Sequence, residues 1–356
     1  MTTADAFGNL LLKPTARIRP RLIFTAHMDH PAFWALRTIG PNRLLAQWMG
    51  RIPTKAMPGQ AVRFWTAGRK LKESQLPTPW LDSDPPLRLS GKPVDGRVRR
   101  VLDSNELGDP GLVEIDIKQP VQPGSIGMWK LSDPAIRRNQ IHARAIDDVA
   151  AVAALLSTMR NLSKAGLSPP IAILLTRAEE GGFFGAIDHV KQIRNASQAP
   201  TYITLEMSMA RPEVLVGSGV VIRLGDRQTT YDPPTANWLS KTASELADTD
   251  PRFTYQRQLM PGGTCESTVF QAALGRAGAL CLPLGNYHNL TPSGSIGHEY
   301  ISLADYRDLI TLCTHLATQP RGSKDTSLET FHKRWRSFAD RHQHLYHHPD
   351  APASLP

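Results

Sequence analysis

The chain is poor in cysteine, in long apolar runs and in any patterned excess of one charge. Its three cysteines, Cys265, Cys281 and Cys313, are odd in number and form no C-x-x-C pair. That argues against a disulfide scaffold or a cysteine-rich zinc finger and points to the reducing cytoplasm. No apolar run approaches the roughly 18 residues of a membrane span, so no membrane partner is expected. The first residues, MTTADAFGNLLLKPTARIRP, lack a basic segment followed by an apolar core, so no secretory signal is expected. Lys and Arg number 41 against 32 Asp and Glu, a formal charge of +9. The excess is not organised: Arg97 and Arg99 alternate with Val98 as on the outer face of a strand, and no basic run is interleaved with aromatics. No nucleic-acid partner is therefore expected.

What remains is an ordinary globular composition, 41% apolar and 21% charged. A length of 356 residues suggests two domains at about 150 residues each. Apolar runs at 21–27, 171–178, 201–208 and 278–286 suit buried strands. Between them, 147–161, 234–247 and 302–318 have helical patterns, the first with apolar residues at 149, 152, 155, 156 and 159. Ser302 and Asp305 resemble a capping box. Strands alternating with helices predict an α/β layer fold around a largely parallel sheet.

Residues 51–140 break the pattern. They hold 11 of the 29 prolines, no convincing helix, and short alternating strands at 62–66, 96–102, 111–117 and 126–129. This predicts a small β-domain, a barrel or sandwich, inserted into a discontinuous α/β domain of residues 1–50 and 141–320. The segment 321–356 reads as an amphipathic helix with Leu328, Phe331, Trp335, Phe338 and Leu345 at helical spacing, opened by a Thr326–Glu329 capping box. It also carries His332, His342, His344, His347 and His348, with no fixed ligand spacing.

Five segments put candidate ligands at strand ends, where sites form in open α/β sheets. His27 ends the run RLIFTAH, and Asp29 is placed to take its second ring N–H. A single histidine there also reads as a satisfied structural group. Asp147 and Asp148 open a helix, more carboxylate than a cap requires. Glu179 and Glu180, followed by two glycines, end a run expected to be fully buried. Adjacent buried carboxylates repel unless a cation compensates, which suits a ligand beside a general base. Glu206 and His288 follow two further runs. Together these donors suit a pair of divalent ions, zinc first, with cobalt or manganese also compatible.

The motifs AHMDH, PGSIGMW, ARAIDDVAAVAALL, RAEEGGFFGA, GGTCEST and NYHN, in this order and around an inserted β-domain, resemble the co-catalytic metal aminopeptidases, which include the tetrahedral and glutamyl aminopeptidases. The resemblance covers about 21–320. It implies a three-layer α/β/α zinc-peptidase-like domain with a central mixed sheet and an inserted β-barrel-like domain. It implies a dinuclear site: His27 on one metal, oriented by Asp29; Asp147 bridging, with a cis peptide to Asp148; Glu180 on one metal, Glu206 on the other side, and His288 completing the set. Glu179 would be the general base, and Gly263, Thr264 and Cys265 would border substrate. Peptides with a free N-terminus would be the substrates, in a cytoplasmic homo-oligomer. Three positions depart from the family pattern: only 26 residues precede His27, Cys265-Glu266 follow GGT, and His30-Pro31 follow HMD.

Other readings stand beside this one. The ligand set also serves deacylases and other amidohydrolases, and a metal-free relative could act in binding or assembly. A Cys265–His288 hydrolase is conceivable, but it leaves Asp147, Glu179 and Glu180 without a role.

Overall fold

A computed structural model describes residues 1–65, 92–104, 111–319 and 326–346, and within the last segment the side chains of 332–342. Residues 1–318 form one unit and the segment from 319 another.

The first unit is built on an eight-stranded sheet. Its strands are β1 (Thr2–Ala4), β2 (Leu10–Leu12), β3 (Leu22–His27), β12 (Ile171–Thr176), β13 (Thr201–Met209), β14 (Val220–Asp226), β15 (Tyr255–Met260) and β16 (Ala277–Leu284). Their order is β1-β2-β12-β3-β13-β16-β14-β15. The central four, β12, β3, β13 and β16, run parallel. The edges do not: β2 is antiparallel to β12, and β14 to β16. The sheet is therefore mixed.

Period-two alternation gives each strand two faces. Leu22, Phe24 and Ala26 of β3 join Ile203 and Leu205 in a core covered by α1 (Ile146–Lys164), α3 (Pro233–Thr249) and α5 (Leu303–Thr318). On the other face Ile23, Ala172, Leu174 and Tyr202 pack with α2 (Phe184–Lys191) and α4 (Ser267–Leu274). The result is three layers. The same alternation sends His27 and Glu206, odd and even members of β3 and β13, to the α2/α4 face with Thr25 and Thr204, whose hydroxyls meet at 3.0 Å.

Helix α1 buries Ala151, Ala154, Leu155, Thr158 and Leu162 rather than the stripe expected from its larger side chains; Val149 and Leu156 are exposed. Alanines face the sheet here because they allow close approach, which a pattern read on size alone misses. The Ser302–Asp305 cap is present: the Asp305 N–H donates to Ser302 Oγ at 3.2 Å.

Between β3 and α1 the chain closes a six-stranded barrel, β4-β5-β8-β7-β6-β9. Its strands are β4 (Ala32–Thr38), β5 (Arg43–Met49), β6 (Ala61–Trp65), β7 (Val94–Val101), β8 (Leu112–Ile117) and β9 (Ile126–Trp129). The barrel thus begins at residue 32, not at the expected 51. In β4 and β5 only alternate residues, Phe33, Ala35, Leu44, Ala46 and Trp48, point inward. A register shift between Ala35 and Arg37 breaks the alternation that would have marked β4 as a barrel strand. Phe33 lies 4.6 Å from Trp48 and 4.9 Å, edge-on, from Trp129, so three rings fill the centre. A small sheet of β10 (Ala135–Arg137), β11 (Gln140–Ala143) and β17 (Glu299–Ser302) follows, in that order.

The second unit contains α6 (Thr326–Tyr346), as the spacing predicts, with Trp335 and Phe338 exposed. The side chains of Leu328, Phe331, His344 and Leu345, and all of His347 and His348, lie outside the described residues. No described helix is long and apolar enough to cross a membrane.

Candidate metal centre

Five side chains from five segments converge. One ligand atom each from His27, Asp147 and Glu206 lie within 4.8 Å of one another, and so do atoms of Asp147, Glu180 and His288. Asp147 is common to both groups. His27 Nε2 is 3.3 Å from Asp147 Oδ1 and 3.6 Å from Glu206 Oε1; His288 Nε2 is 3.4 Å from Glu180 Oε1.

Each histidine has its second nitrogen committed. His27 Nδ1 faces the main-chain carbonyl of Asp29 at 3.1 Å, and His288 Nδ1 that of Arg51 at 2.9 Å. A carbonyl only accepts, so both Nδ1 carry hydrogen and both Nε2 face the cluster, where a bound cation would take the place of a proton. The Asp29 carboxylate, expected to orient His27, is 3.8 Å from its Nδ1. It instead accepts the N–H groups of Glu179 and Glu180, each at 3.1 Å. Asp29 thus touches His27 through its backbone and fixes the glutamate pair through its side chain.

Three residues to which the sequence reading gave no role complete the frame. Glu299 Oε2 accepts the N–H groups of Ile146 at 2.7 Å and Asp147 at 3.1 Å. His30 sits between the Asp147 carbonyl, 2.5 Å from Nδ1, and Asn289 Oδ1, 3.1 Å from Nε2. Glu266 accepts from the Thr176 hydroxyl at 2.8 Å. Glu266 stands directly before α4, in TCEST, and Glu299 opens β17, in HEYIS, the one signal that could have drawn notice. Asp148 accepts the His27 N–H at 3.2 Å, and its peptide bond to Asp147 is cis, as the resemblance implies.

The electrostatics call for cations. Burial raises the pKa of Asp147 to about 8, Glu206 adding to the rise and His27 opposing it. Burial likewise pushes Asp148 and Glu179 far up, against His27. Glu180 goes the other way: burial disfavours its charge, but His288 overrides that and holds it near 2. His288 rises in turn to about 9, burial opposing and Glu180 prevailing. Asp147 Oδ1, Glu180 Oε1 and His288 Nε2 are buried without a hydrogen-bond partner. Orphaned acceptors in a crowd of carboxylates are what divalent ions satisfy. The donors are hard oxygens and imidazoles, which fit zinc, cobalt or manganese.

Glu179 Oε2 stands 4.0 Å from His27 Nε2, at the edge of this cluster. Cys265 does not border substrate. It is fully buried, its thiol 3.1 Å from the Tyr231 hydroxyl, and burial raises its pKa to about 12. That removes it as a substrate contact and as a nucleophile, because the thiolate is the reactive form. The neighbouring Gly263 has open space where a Cβ would lie, and its carbonyl accepts the Arg227 N–H at 3.0 Å. Thr264 is partly buried beside it.

A model of the M42 glutamyl aminopeptidase family matches residues 113–310. No curated protein matches the sequence. Among solved structures, a TET aminopeptidase from a marine-sediment Thaumarchaeota archaeon is similar with a TM-score of 0.69 and 17% identity, over 90% of this chain and 87% of that one. An aminopeptidase of Desulfurococcus kamchatkensis follows with 0.67 and 17%, over 89% and 84%. The Pyrococcus horikoshii TET1 peptidase, which can assemble into a tetrahedron or a large octahedral shell, gives 0.66 and 19%, over 89% of each chain. At these identities the likeness concerns the fold.

Proposed function

The chain belongs to the M42 glutamyl aminopeptidase family, and from that premise we propose how this metal-dependent aminopeptidase works. His27, Glu206 and Asp147 would hold one divalent ion, and Glu180, His288 and Asp147 a second. The observation that carries the reading is the Asp147 carboxylate shared by two ligand groups. Zinc is the first candidate, since two imidazoles and three carboxylates at tetrahedral ligand numbers suit it.

Bound there, the ions would supply Lewis acidity, lowering the pKa of water and polarising the scissile carbonyl. The chain's own residues do the rest. Glu179, raised in basicity by burial, takes the proton of the attacking water and returns it to the leaving amine. Asp29 holds the main chain of Glu179 and Glu180 so that base and ligand stay in register. The surplus of carboxylates gives the substrate's α-ammonium group a favourable field.

A closed barrel entering the chain between His27 and Asp147 suits a wall over the site: the Arg51 carbonyl, just past β5, holds His288. By analogy with the TET structures we assign a homo-oligomer. Three buried free thiols fit a cytoplasmic location.

The test is digestion of a mixed peptide library by the metal-loaded protein, read by mass spectrometry, with metal counted in parallel. Stepwise removal of N-terminal residues, blocked by chelator and by N-acetylation, with two ions per chain, is the expected result. Cleavage of acetylated amides, or a single ion, would overturn it.

A further inference from the structure

His30 is 8% exposed, and neither ring nitrogen points at the ligand cluster. One meets the Asp147 carbonyl at 2.5 Å; the other meets Asn289 Oδ1 at 3.1 Å. The Asn289 amide cannot turn round. Its Nδ2 already donates to the carbonyls of Arg144 at 2.8 Å and Gly297 at 3.1 Å, so its oxygen must face the ring. A neutral imidazole has one N–H for these two acceptors, so it donates to one and packs against the other, standing between the backbone of one ligand and the residue that follows another, His288.

The two ligand groups differ in what holds them. His27 and Glu206 lie in strands β3 and β13 and are fixed by the sheet, His27 paired with Thr176 of β12 and Glu206 with Cys281 of β16. Glu180 and His288 lie in loops, and His288 and Asn289 both have left-handed backbones, with φ of 54° and 64°. Side chains forced into that region need external support. Asn289 supplies part of it, and His30 connects Asn289 to Asp147.

Resting on the dinuclear reading above, we propose that His30 is a positioning residue for the second ion, the one held by Asp147, Glu180 and His288. It sets the distance between the shared carboxylate and the His288 loop. The first ion, held by strand residues, does not depend on it.

The experiment is a calorimetric titration of Co²⁺ into the metal-stripped full-length chain, with visible absorption of the bound cobalt recorded at each equivalent. The wild type should take two equivalents. In His30→Ala the second equivalent should bind about 10- to 100-fold more weakly and its absorption band should shift, as when a group orienting metal ligands is lost. The first should stay within about twofold. Asn289→Ala should give the same pattern, and the double variant should be no worse than either single one, because the two act as one link. His30→Gln, which keeps a side-chain donor, should recover part of the loss, and it carries the test should His30→Ala not fold. An unchanged second equivalent in both His30 variants, or equal weakening of both equivalents, would overturn the proposal. One equivalent in the wild type, or two retained by Asp147→Asn, would instead overturn the dinuclear reading, and this inference with it.

Discussion

The carboxylate of Asp29 spans the main-chain N–H groups of Glu179 and Glu180, 3.1 Å to each, from 150 residues away in sequence. An amide in its place has one acceptor and an N–H₂ group aimed at a donor. Asp29→Asn should therefore lower kcat/KM and metal affinity together by about 10- to 100-fold, measured on an aminoacyl anilide and by metal titration. A change confined to KM would argue against this role.

Glu179→Gln separates chemistry from binding. Removing the base should cost about 10²- to 10⁴-fold in kcat, while metal content by elemental analysis stays at the wild-type value. Loss of metal in this variant would make Glu179 a ligand instead.

Chelation should destabilise the protein as well as silence it. Ions bind only the folded cluster, and each at 100 times its Kd adds about 2.7 kcal/mol. Excess chelator should lower Tm by on the order of 10 °C for two such ions, and stoichiometric zinc should restore it.

Asp226 gives a pH signature away from the metals. Burial works against its charge, but the Thr268 and Tyr231 hydroxyls and the N–H groups of Gln228 and Thr229 prevail and hold its pKa below the usual value. A depressed folded pKa means stability that is fully present above the unfolded value, about 3.9, and lost as pH falls through the folded one. Asp226→Asn should cost about 1.5–3 kcal/mol at neutral pH, and the difference from wild type should shrink below about pH 4. A gap that stays constant down to pH 2 would count against the assignment.

The barrel core offers a packing test. Trp129 is 1% exposed and meets both Phe33 and Trp48. Trp129→Ala should cost about 3–5 kcal/mol, read by denaturant unfolding.

The candidate ligands could be read in the sequence because each stands in or just past an apolar strand: His27 ends β3, Glu206 lies inside β13, and Glu180 follows β12. The supporting residues could not. His30, Asn289 and Glu299 matter only through partners 117 to 259 residues away, and nothing in their neighbours' hydropathy records those contacts. Cys265 was placed beside substrate by resemblance alone, whereas Tyr231 and Ala279 close over it in the fold. The barrel's late expected start had a different cause. Strand β4 carries a bulge, and β5, RLLAQWM, sets inward Leu44, Ala46 and Trp48 beside outward Leu45 and Met49, which are as apolar and blur its alternation.

The cluster's order along the chain has a consequence during synthesis. His27 is made early and His288 late, 261 residues apart. At about 5–20 residues per second, roughly 13 to 50 s pass between them. Until His288 emerges the second ligand group is one donor short. On the proposed dinuclear reading, a nascent chain would therefore lack the complete site while its own N-terminus is the nearest free one.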